Sequence, residues 1–100
     1  MRALLPIFAL CAALASVPAV AQAPASTRAV LADAVRAPAR AMIIDGANWR
    51  CEAQVCSASG GNSQPAPRAC RRVVARLGAV TEFSWQGVAL NAAELAVCNG

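Results

Sequence analysis

One hundred residues, 58% of them hydrophobic, leave room for one domain at most. The nine basic residues are all arginine and face five acids, a net charge of +4 that is too slight to imply a nucleic-acid partner. Histidine, lysine and tyrosine are absent, which removes the commonest general base and with it any Ser-His or Cys-His pair.

The chain starts Met1-Arg2, runs through the apolar stretch "ALLPIFALCAALA" from Ala3 to Ala15, and reaches Ala19-Val20-Ala21. A basic start, a short apolar core and an Ala-x-Ala site predict a secretory signal peptide over residues 1–21, cut between Ala21 and Gln22. A membrane anchor fits less well, because the apolar core falls short of the roughly 20 residues of a span and Pro6 and Pro18 interrupt it. Cys11 lies inside that core behind Leu10 and leaves with the peptide. Four cysteines then remain, Cys51, Cys56, Cys70 and Cys98. An even count in a short exported chain reads as two disulfides, and so small a fold needs them.

Residues 22–40, "QAPASTRAVLADAVRAPAR", read as an Ala/Pro-rich linker. Val30, Leu31, Ala34 and Val35 give it a weak helical spacing between Thr27 and Arg36 that Pro38 ends. The small domain is expected over residues 41–100. "AMII" and "WRCE" predict two strands around a four-residue loop Asp45–Asn48, which pairs Ile44 with Trp49 and Met42 with Cys51. Met42, Ile44, Trp49 and Cys51 then share a face, with Arg50 and Glu52 turned to water. If Ala53-Gln54 make a two-residue turn, Glu52 pairs with Val55. Cys51 then lies opposite Cys56 in a non-hydrogen-bonded pair, within disulfide reach at a Cα separation of roughly 4.5 Å.

Ser57 to Pro67 reads as a flexible connector. Beyond it, Cys70, Val73, Val74 and Leu77 form an apolar helical stripe, with Arg68, Arg71, Arg72 and Arg76 opposite and Gly78 at the carboxyl end. Val80 to Leu90 reads as a hairpin with its tip at Gln86-Gly87. Pairing Trp85 with Val88 gathers Phe83, Trp85, Val88 and Leu90 on one face. Asn91 and Glu94 open a last helix in the pattern of a capping box, which puts Leu95 and Cys98 on one side. The whole predicts an α+β fold: a small antiparallel sheet of hairpins with two short helices, stabilised by disulfides. Both helices carry a cysteine on the apolar face, so Cys51–Cys56 with Cys70–Cys98 is favoured among the three connectivities. In the loop-entropy account the two bonds contribute about 2 and about 3.5 kcal/mol.

Chemistry is harder to find. The cysteine spacings, four, then thirteen, then twenty-seven intervening residues, lack the short knuckles of a zinc site. Gly60-Gly61 lacks the strand, helix and lysine of a phosphate loop. Glu52 and Glu82 are expected off the sheet in solvent, which makes a glycosidase-like carboxylate pair the lesser reading. Trp49, Phe83 and Trp85 are expected in the core rather than lining a groove. The arginine face of 68–77 is the one positive feature, a solvated helix surface or an anion-binding one.

Trp49-x-Cys51, Cys56, the arginine-bearing segment from Cys70 to Gly78, Phe83, Gly87 and the closing Leu95-x-x-Cys98-Asn99 resemble a group of short exported four-cysteine proteins of Alphaproteobacteria, of the sphingomonad type. The resemblance covers about residues 41–99. It implies export, disulfides and the domain limits, and that group brings no known activity. Taken together, the sequence points to a non-catalytic periplasmic or secreted binding or accessory domain, not an enzyme. It would need no cofactor or metal, and its partner would be an envelope protein or an anionic surface. The alternative is a cationic envelope-active peptide or inhibitor that works through Arg68, Arg71, Arg72 and Arg76.

Overall fold

The computed structural model describes residues 26–100; the expected signal peptide, its cleavage site and Cys11 lie outside them. Six strands form one antiparallel sheet: β1 (Thr27–Leu31), β2 (Met42–Ile44), β3 (Ala47–Glu52), β4 (Val55–Gly60), β5 (Val80–Trp85) and β6 (Val88–Ala89). Their order is β2-β3-β4-β1-β5-β6. Two helices, α1 (Ala66–Leu77) and α2 (Ala92–Asn99), pack on each other and on β5. This is the disulfide-stabilised α+β fold expected from the sequence.

Two segments read as linker are strands. Thr27–Leu31 is not a marginal helix but β1, set between β4 and β5. The reason lies in side-chain size. Thr27, Ala29 and Leu31 alternate inward and are all buried, while Arg28 and Val30 face outward, so a strand period underlies what reads as helical spacing. Only Ala34–Arg36 turns helically, as a single 3-10 turn whose Asp33 carboxylate accepts from Val35 N. Likewise Ser57–Gly60 is not flexible but completes β4, and the true connector shrinks to 61–65.

The small residues of these two strands are what the core requires. One inward row runs Cys51, Cys56, Ala29 and Phe83 across four strands; another runs Met42, Trp49, Ala58 and Thr27. Ala29 and Ala58 leave the space above β1 and β4 to the rings of Trp49 and Phe83, whose centroids lie 6.4 Å apart. Gly61 lies flat against Trp85: a Cβ there would come within 2.8 Å of the indole.

The first hairpin differs from expectation in register. Asp45 and Gly46 both have positive φ (50° and 79°) and form a two-residue turn that pairs Ile44 with Ala47, Ile43 with Asn48 and Met42 with Trp49. The slip is two residues, so the inward face keeps Met42, Ile44, Trp49 and Cys51 and gains Ala47. The Ala53-Gln54 turn is as expected, with Glu52 opposite Val55 and Cys51 opposite Cys56. The second hairpin also keeps its register, Trp85 to Val88, although Val88 at the sheet's end remains 57% exposed. α2 begins with a complete capping box: Asn91 Oδ1 accepts from Glu94 N, and Glu94 Oε1 accepts from Asn91 N.

The disulfides join Cys51 to Cys56 and Cys70 to Cys98, with Cα separations of 4.0 and 6.0 Å. The first clamps β3 to β4, and the second clamps α1 to α2.

A candidate anion-binding cleft

α1 is amphipathic by construction. Pro65 precedes it, with its carbonyl accepting from Arg68 N and Ala69 N. Ala66, Ala69, Cys70, Val73 and Leu77 are buried, and Gly78 at φ 86° ends it. Arg68, Arg71, Arg72 and Arg76 are all exposed, as the sequence implies, and the helix contains no acid. Arginines four apart with no acid between them repel by a few tenths of a kcal/mol per pair. The helix end is also contacted from outside: Arg36 Nη2 donates to Arg76 O at 3.4 Å, a cation on the carbonyl end of the helix dipole.

What the sequence does not reveal is the acid that this face meets. Asp45, in the tip of the β2–β3 turn, accepts from Arg72 through both Nε (3.2 Å) and Nη2 (3.0 Å), and Gln64 Nε2 donates to its second oxygen at 3.0 Å. Its side chain is only 14% exposed against 58% for Arg72. Gln64 first, then Arg72, holds the Asp45 carboxyl below its ordinary range, more than offsetting desolvation; Arg68 adds a smaller pull. The Asp45 carbonyl accepts from Asn62 N at 2.9 Å, so this one residue ties the turn, the 61–65 connector and α1 together.

Beside that clamp the structure opens a cleft of about 440 Å³. Ile43, Ile44 and Asp45 form one wall and Arg71, Arg72 and Arg76 the other, with small Ala75 between them. The sequence-expected arginines are therefore divided. Arg72 is oriented by Asp45, Arg71 and Arg76 share the cleft with it, and Arg68 stands outside on the Asn62–Gln64 side. Among the described residues no carboxylate pairs with Arg68, Arg71 or Arg76.

The remaining acids have local employment: Asp33 caps the 3-10 turn, Glu94 the last helix, and Glu82 pairs with Arg28 at 2.7 Å on the open sheet face. Glu52 is exposed at its hairpin. All four sulfurs are bonded in pairs, so none of these cysteines offers a thiolate to zinc. Among the described residues no group of three or more metal-binding side chains assembles. Trp49, Phe83 and Trp85 are core residues, each no more than 3% exposed. The closing Asn99 acts structurally: its Oδ1 accepts from Val80 N at 2.9 Å and its Nδ2 donates to Val80 O at 2.8 Å, docking the end of α2 to the start of β5.

No helix among the described residues is long and apolar enough to cross a membrane, and two disulfides fit an oxidising, extracellular or periplasmic setting. Comparison with curated proteins and with solved structures finds no match. One comparison does succeed, over residues 9–100, which take in every strand, both helices and all four bonded cysteines: the chain belongs to a family of unknown function (DUF8200).

Proposed function

We propose that the protein is an exported, non-catalytic binding domain that captures an anionic partner in the cleft between α1 and the β2–β3 hairpin. The observation that carries this reading is the asymmetry of charge there: three guanidinium groups line a cleft whose only acid is already committed to Arg72. A guanidinium held by a carboxylate is pre-oriented, so less freedom is lost when a further anion arrives beside it. Absence of histidine, and acids that serve caps, a clamp and an exposed ion pair, support the non-catalytic half of the reading.

The envelope-active alternative has less support. A peptide that acts on lipid presents its apolar stripe to the bilayer. In α1 that stripe is in the core, with Cys70 fully buried and bonded to Cys98.

Fluorescence anisotropy with labelled polyphosphate tests the reading. Binding should weaken steeply as salt rises and should fall several-fold on combining Arg71→Gln with Arg76→Gln. Binding that ignores both changes, in a variant that melts like the parent, removes the cleft as the site.

A further inference from the structure

The cleft has a second property besides charge: one of its walls is the free edge of the sheet. β2 lies outermost in the strand order. Its turn-closing pair is Ile44 with Ala47, so the next pair, Ile43 with Asn48, is the non-hydrogen-bonded kind. Ile43 therefore turns its N–H and C=O away from β3, toward the open side. Among the described residues no backbone group of another element bonds to them, and Ile43 is 60% exposed.

From this juxtaposition we infer that the partner is an acidic polypeptide segment bound in extended form, adding a strand to β2 while its carboxylates meet the arginines of α1. The inference rests on the anion-binding reading above and names its ligand. Backbone pairing at an open edge supplies affinity that does not depend on side-chain identity, and side chains on alternate positions supply selectivity. The spacings agree. Alternate side chains on a strand stand about 6.8 Å apart, and Arg72 and Arg76, four residues apart on the helix, are offset by about 6 Å along its axis. For a segment that runs alongside α1, glutamate or aspartate at every second position falls at the interval of successive arginines, while the intervening side chains face away from the helix. A second copy of this chain fits poorly, since pairing β2 with β2 would bring together two α1 helices that carry four arginines and no acid each.

The test uses the oxidised protein and a labelled peptide of about ten residues alternating Glu and Val, with a counterpart N-methylated at three consecutive central residues. Methylation removes edge hydrogen bonds and keeps every charge. The parent peptide should bind, and the methylated one should bind at least about tenfold more weakly. Ile43→Pro should also weaken the parent peptide, because proline is tolerated where a strand's N–H faces outward and removes that edge donor. Equal binding of the two peptides overturns strand addition while the arginine cleft stands, provided both are lost with Arg71→Gln and Arg76→Gln. Binding to phosphatidylglycerol vesicles with no peptide binding overturns the polypeptide partner. Failure of polyphosphate and peptide alike overturns the anion-binding reading itself. Should Ile43→Pro misfold, the peptide pair on the unaltered protein still decides.

Discussion

Asp45 gathers three roles in one side chain and one backbone unit: turn former at φ 50°, acceptor for Arg72 and Gln64, and carbonyl acceptor for Asn62. Because its folded carboxyl titrates below the unfolded one, its contribution is complete above the unfolded value and fades as pH falls through the folded value, in the acid range below about pH 4. Urea melts at neutral pH and in that acid range should therefore show Asp45→Asn weaker than the parent at neutral pH, with the gap closing in acid. Gly61 gives a second prediction at this scale. Its φ of 107° and its 2.8 Å approach to Trp85 leave no room for a methyl, so Gly61→Ala should lose on the order of 1–3 kcal/mol in chemical denaturation and shift the tryptophan emission. Individual residues were unevenly legible. The Asn91–Glu94 box follows from three-residue spacing alone. The Asp45–Arg72 bond joins residues twenty-seven apart that no local pattern relates. Asp-Gly did carry a local signal, the preference of a two-residue primed turn, which a four-residue loop reading passes over.

Among elements, those with large apolar residues at a regular period were readable: α1 through Cys70, Val73 and Leu77, and the β5–β6 hairpin through Phe83, Trp85 and Leu90. β1 and the far half of β4 were not, because Ala29, Ala58, Ser57 and Ser59 look like linker composition. Their smallness is a tertiary requirement, set by Trp49 and Phe83 on neighbouring strands. Ala29→Leu should therefore destabilise by about 1–3 kcal/mol in the same denaturation assay, despite raising local hydrophobicity. The two disulfides also separate at this scale. Replacing Cys51 and Cys56 together by Ser opens a loop of five residues in sequence separation, and replacing Cys70 and Cys98 opens one of twenty-eight. Denaturation midpoints should fall by the equivalent of about 2 and about 3.5 kcal/mol respectively.

For the molecule as a whole, a single apolar cluster is shared by the sheet and both helices, and two covalent bonds lie along its length. A fold of this size has roughly 5 kcal/mol of net stability, comparable with what the bonds provide. Full reduction should thus abolish the cooperative thermal transition seen by near-ultraviolet dichroism, and reoxidation should restore it.

β1 gives the sheet's assembly a direction in time. It is the first described strand to leave the ribosome or a translocation pore, yet its two neighbours are encoded about 25 and 50 positions later. Until β5 has emerged, β1 can be flanked by β4 on one side and by nothing on the other. The sheet therefore stays open along β1 until most of the length has been delivered, and the α1–α2 bond waits for Cys98, so this chain closes late.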